Sequence, residues 1–210
     1  MGCQDNENVI IAKDAVRFID AHNVYAATSD RIEASVHMKK CFDRLTQSEN
    51  WNYYDLKFLV SSVHLIESIE QALELGSKSM LEMVHFRASS NTDIWEGYLA
   101  LNMCARLLIA KYFDSDIKIN LPLRFEEWFS KLERLAEKNS DLSLPFTVTK
   151  IRKAIFHKDQ DQIFKLREEL ETNYDEDVVN IVRSEISFYL LSERYNSKLK
   201  PEISKLGGEK

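Results

Sequence analysis

The sequence predicts an all-α protein, a compact and irregular bundle of about nine helices built from antiparallel helical hairpins. Glycine and proline, the residues that close turns and stop helices, are scarce: five and three in 210 residues, with Gly207 and Gly208 in the last four positions. Apolar residues recur three and four positions apart along most of the chain. The segments between these stripes are short and polar, which sets consecutive helices side by side.

A first helix is expected over Val9–Ala21, with Ile10, Ala15, Phe18 and Ile19 turned inward. A second starts at Ser29 or Asp30, where Glu33 completes a capping-box spacing, and presents Ile32, Val36, Phe42 and Leu45 to the core. A long third helix is expected from Tyr54 to Leu75 on the stripe Leu56, Leu59, Val60, Val63, Ile66, Ile69 and Leu73, closed by Gly76 as a left-handed cap. A shorter helix follows over Ser77–Phe86. Polar Ser89-Ser90-Asn91-Thr92 opens the fifth, which runs through Phe113 and is apolar nearly all round, as a buried helix is. Asn120-Leu121-Pro122 opens a sixth, reaching Lys138, with Phe125, Trp128, Leu132 and Leu135 inward. Past Pro145, the stripes Val148/Ile151/Ile155 and Ile163/Leu166/Leu170 read as a hairpin turned at Lys158-Asp159-Gln160-Asp161. The last helix, Asp175–Tyr195, carries Val178, Val182, Ile186 and Leu190. Residues 1–196 read as one helical domain and 197–210, with Pro201 and two glycines, as a flexible tail.

Composition narrows function. Apolar residues at 44% and charged residues at 30% are ordinary for a water-soluble domain, and no apolar run is long enough to span a bilayer. Asp5 and Glu7 interrupt any secretory signal, so a cytoplasmic protein is expected. Cys3, Cys41 and Cys104 are an odd set without CxxC spacing, which argues against a disulfide framework. Gly2-Cys3 has the residues for dual acylation, with Asn6 where Ser or Thr is usual. Five glycines leave no phosphate-binding loop, dinucleotide turn or nucleophile elbow, so no cofactor is expected. Glu82 with His85, His64 with Glu67, and His37 with Cys41 share helix faces, yet none completes a ligand set, so no metal is expected either.

The densest charge lies at Glu168-Glu169-Leu170-Glu171-Thr172-Asn173-Tyr174-Asp175-Glu176-Asp177, six acids whose sum equals the net charge of −6. Asp175, Glu176 and Asp177 suit the positive N-terminal end of the last helix. Glu168, Glu169 and Glu171 occupy the last turn of the preceding one, where the helix dipole disfavours carboxylates. With Tyr174 between them, these seven residues read as a docking site for a basic protein partner.

Two resemblances extend the reading. Arg152-Lys153-Ala154-Ile155-Phe156-His157 resembles the Arg-x4-His helix of the HEPN ribonucleases. That resemblance implies an arginine on the scissile phosphate and a histidine assisting proton transfer from the 2′-hydroxyl, in a site shared by two subunits and needing no metal. The stretch Tyr54–Phe113, with Trp95-Glu96-Gly97-Tyr98-Leu99-Ala100-Leu101 and Arg106, resembles the helical immunity proteins of bacterial polymorphic-toxin systems. It implies a cytosolic protein that binds and neutralises a cognate toxin without catalysis, and the acidic turn would suit a basic toxin. A third reading is a bundle holding a small ligand between its helices. The leading expectation is the non-enzymatic binding protein, with the Arg152/His157 ribonuclease as the alternative.

Overall fold

The computed structural model describes residues 2–86 and 92–189, with the side chains of residues 2–7 outside that description. The predicted helix start at Ser89–Asn91, residues 190–195 of the predicted final helix and the tail 197–210 lie outside the described residues. Among the described residues every regular element is helical: α1 (Gly2–Thr28), α2 (Arg31–Gln47), α3 (Tyr53–Ser62), α4 (Ile69–Met83), α5 (Thr92–Phe113), α6 (Leu121–Ala136), α7 (Ser143–His157), α8 (Gln160–Asn173) and α9 (176–189). Single turns of 3-10 helix cover Val63–Leu65, Val84–Phe86 and Ser140–Leu142. No described helix is long and apolar enough to cross a membrane.

Side-chain caps fix most helix starts. Asp30 accepts from the backbone N–H groups of Ile32 and Glu33, Asn52 and Asp55 form a reciprocal capping box, and Asn120 accepts from Leu123 with Pro122 in the first turn. Each such cap contributes about 1 kcal/mol. The α7–α8 turn combines Lys158 in the left-handed region (φ 61°) with Asp159, whose carboxylate accepts from Gln162 N–H.

The hairpins are antiparallel. Asp14 in α1 and Arg44 in α2 lie equally far from the Ser29 turn and are paired at 2.8 Å. Lys150 and Glu169 are near-symmetric about Asp159 and meet at 3.2 Å. Helix α5 is the axis of the bundle, touching α3, α4, α6 and α7. Leu99, Ala100, Met103, Cys104, Leu107, Leu108 and Ala110 are all buried on it, as its all-round apolar sequence requires. A Cβ on Gly97 of α5 would come within 2.6 Å of the Leu142 methyls, so a larger residue there would displace the buried Leu142 side chain. Cys41 in α2 and Cys104 in α5 are buried free thiols.

Several expectations are corrected, among them a separate helix over Ser77–Phe86, which is instead the second half of α4 and the 3-10 turn after it. The long helix Tyr54–Leu75 is two helices, α3 and α4, separated by a 3-10 turn and the extended residues around Ile66. Ser68 caps α4 by accepting from Gln71 N–H, and Arg31 and Arg106 take the carbonyls of Ile66 and Glu67 that a continuous helix would have used internally. Gly76 therefore stops nothing: it lies inside α4, where its would-be Cβ sits 3.0 Å from Met103 Sδ and 3.3 Å from Trp128.

The α1–α2 interface keeps Phe18, Phe42 and Leu45 inward as expected but otherwise uses different stripes. Ile10 and Ile19 are exposed, as are Ile32 and Val36. The inward positions are Asp14, Phe18, Ala21 and Tyr25 on α1 and Ala34, Met38, Cys41, Phe42 and Leu45 on α2. The reason is Asp14. Buried at the interface, it pairs with Arg17 at 2.6 Å and Arg44 at 2.8 Å, so the contact stripe runs through a charged residue that an apolar pattern passes over.

On α9, Val182 and Ile186 are buried as expected, together with Val179 and Tyr189, whereas Val178 is half-buried and Leu190 lies outside the described residues.

Candidate partner-binding face

The acidic turn is built as expected in position. Glu168, Glu169 and Glu171 end α8, Asp175 precedes α9, and Glu176 and Asp177 open it; all six carboxylates are exposed. Tyr174 is half-buried, with its ring packed on the core and its N–H donating to the Leu170 carbonyl. Two of the three glutamates at the unfavourable helix end have intrachain cations. Glu171 takes hydrogen bonds from Arg167 at 2.6 Å and Arg183 at 2.8 Å, which hold its carboxyl below the ordinary range, and Glu169 accepts from Lys150 at 3.2 Å.

Arg152 and His157 serve different neighbours. Five positions along a helix turn a side chain about 140° away from its starting direction. Arg152 forks onto Glu185 of α9 at 2.7 and 3.1 Å, and donates to the Leu101 carbonyl at 3.3 Å. The His157 ring lies 3.1 Å from Glu126 of α6, which also accepts from Lys153 at 2.7 Å. Within one chain the structure does not bring the two together. Of the residues that carry the second resemblance, Trp95 is half-buried, edge-on to Tyr53 at 6.2 Å and beneath the Lys57 ammonium, and Arg106 is fully buried, donating to the Ile66 carbonyl and paired with Asp114. Among the described residues no group of three His, Cys, Asp or Glu side chains is arranged to hold a metal ion.

Sequence reasoning missed a surface assembled from three helices. Ile32 and Val36 of α2, Phe113 at the end of α5, and Ile181 and Phe188 of α9 are large apolar residues left exposed; Val36 and Ile181 are 68% and 69% exposed. Phe113 and Phe188 stack at 5.4 Å, joining α5 to α9. Ile32 and Phe113 form a ridge between two hollows. On one side is a groove of about 630 Å³ between α2, the start of α4 and the segment after α5. Its polar lining is one-sided, with Asp43, Glu67, Glu70, Asp114 and Asp116 against Lys39. Of these, Asp114 is neutralised by Arg31 and Arg106. On the other side, the face of α9 that carries Ile181 runs one turn back to Asp177, so the apolar strip meets the acidic turn. The apolar spacing of Ile32 and Val36 was visible in sequence, but only as core positions.

No family model matches the chain, and neither a curated protein nor a solved structure is similar enough to match it.

Proposed function

We propose that this chain is a non-catalytic binding protein that docks a basic protein partner, as a cytoplasmic immunity protein docks and neutralises its toxin. The carrying observation is the exposed strip Ile32, Val36, Phe113, Phe188 and Ile181, bordered by the acidic groove on one side and the Glu168–Asp177 turn on the other. Contiguous apolar area within a polar rim is what a protein interface offers, with aromatic residues as its anchors. The sign of the rim selects the occupant. A partner presenting Lys and Arg around an apolar centre is drawn to it quickly, and acidic proteins are turned away. Glu168, Glu169, Glu171, Tyr174, Asp175, Glu176 and Asp177 would form its outer edge, where charges steer the encounter more than they hold the complex.

The test begins with the product of the neighbouring reading frame in the native genome, or with a basic protein copurified from the host. Expected is a complex whose association slows as salt rises, that weakens about tenfold or more in Val36→Glu/Ile181→Glu. Expression of the partner alone should arrest growth, and co-expression should restore it. A partner whose affinity is unchanged both by that variant and by charge reversal at Glu168, Glu169 and Glu171 would remove this reading.

A further inference from the structure

The second hollow beside the Ile32–Phe113 ridge is a cleft of about 880 Å³ between the α1–α2 turn, α5 and α9. It is several times larger than any one side chain and falls in the range of sites that enclose a small molecule. Its charges are balanced and already committed. Asp30 caps α2, Arg31 holds Ile66, Glu67 and Asp114, and Arg152 is forked onto Glu185. An ionic ligand would therefore enter an apolar-walled space with no free counter-charge, at a cost of several kcal/mol.

What remains unengaged is polar and neutral. The hydroxyls of Tyr25 and Tyr189 and the ring of His64 make no hydrogen bond to another described residue, and His64 Nδ1 is buried without a partner. All three are uncharged at neutral pH: the tyrosines are so at their ordinary values and burial raises them further, while burial lowers His64 to about 3. The amide of Asn102, also in the lining, donates to the Val60 carbonyl and keeps its oxygen for another donor. Around these groups the wall is aromatic and aliphatic: Phe113, Phe188, Ile109 and Ala105. Donors and acceptors without charge, above flat apolar walls, suit a ligand that is itself flat and uncharged.

We infer that this cleft is a binding site for an uncharged, planar aromatic small molecule bearing one or two hydrogen-bonding groups, held between α5 and α9 beside Tyr25, His64 and Tyr189. The inference goes beyond the partner reading and stands without it, since it concerns the chain alone.

The experiment titrates the full chain with naphthol and, separately, with naphthoate, the same ring system carrying a charge. Calorimetry should show saturable one-to-one binding of naphthol, about tenfold or more tighter than naphthoate. Amide shifts should map to Tyr25, Ala105, Glu185 and Tyr189. Ser184 is exposed on the lip of the cleft, so Ser184→Trp fills the space from outside while leaving the core untouched, and should abolish binding with the thermal midpoint unchanged. Tyr189→Phe should weaken naphthol severalfold through loss of one hydroxyl. Absence of naphthol binding, equal binding of both probes, or binding that survives in a folded Ser184→Trp variant would overturn the assignment.

Discussion

Arg31 of α2 and Arg106 of α5 grip the same three acceptors. The Ile66 carbonyl accepts from Arg106 Nε at 2.7 Å and Arg31 Nη1 at 3.0 Å, the Glu67 carbonyl accepts from both side chains, and the two Asp114 oxygens take one guanidinium each, at 2.6 Å for Arg106 and 3.1 Å for Arg31. Two cations share one anion because the broken helix supplies the remaining acceptors. Burial of Arg106, with Arg31 beside it, pulls the Arg106 pKa below its ordinary value, and its Nη1 is buried without a hydrogen bond. The site is thus already short of negative charge.

Asp114→Ala should accordingly be among the most destabilising single changes in the molecule. It leaves a buried guanidinium without an anion, at about 3–5 kcal/mol. Asp114→Asn, which keeps an acceptor, should cost less. Arg106→Met should also cost less than Asp114→Ala, because it removes the buried charge and leaves Arg31 to serve both carbonyls. Urea denaturation of the three variants provides the ranking; an Asp114→Ala variant within about 1 kcal/mol of the parent would show the carboxylate to be dispensable.

The two helical glycines should respond oppositely to one added methyl group. Gly97→Ala places a Cβ 2.6 Å from two carbons of the fully buried Leu142 side chain, which must move within a packed site, at about 1–3 kcal/mol. Gly76→Ala meets the flexible Met103 thioether at 3.0 Å and gains up to about 1 kcal/mol of helix propensity, so its net effect should lie near zero. Thermal unfolding distinguishes them, and equal melting temperatures would contradict the packing described.

Acid should weaken the fold partly through His64. Desolvation is the main cause that lowers its pKa from 6.5 to about 3, followed by the nearby His22, Arg152 and Arg31. Between those two values the unfolded chain holds a proton that the folded chain refuses. Stability is therefore retained above about pH 6.5 and lost as the pH falls through that window, by up to about 1.4 kcal/mol per unit from this group. Replacing the ring by glutamine should make the dependence of stability on pH shallower between pH 6 and 4. An unchanged slope in His64→Gln would mean that the carboxylates alone set the acid response.

Much of the fold was legible because its signals are local. Asp30, Asn120 and Asp159 announce helix starts by their chemistry, and the Lys158–Asp161 turn is bounded by two clear stripes. The break between α3 and α4 was hidden because the stripe from Leu56 to Leu73 continues in helical phase across it, while Arg31 and Arg106, which enforce it, come from other elements. The Ser68/Gln71 cap was the one local sign. The acidic turn was readable as a run of charge. The strip from Val36 to Ile181 was not, since its residues come from three helices and each has a spacing suited to a core.

Cys41 and Cys104 make the molecule its own stopwatch. Desolvation pushes the Cys41 thiol up to about 12 and raises Cys104 further, so neither reacts while its helix stays docked. Alkylation of the first clocks the parting of the leading hairpin beside Asp14 and Arg44; alkylation of the second clocks opening of the central axis. Separate rates would reveal that the hairpin can peel away on its own, and a single shared rate that the whole bundle lets go at once.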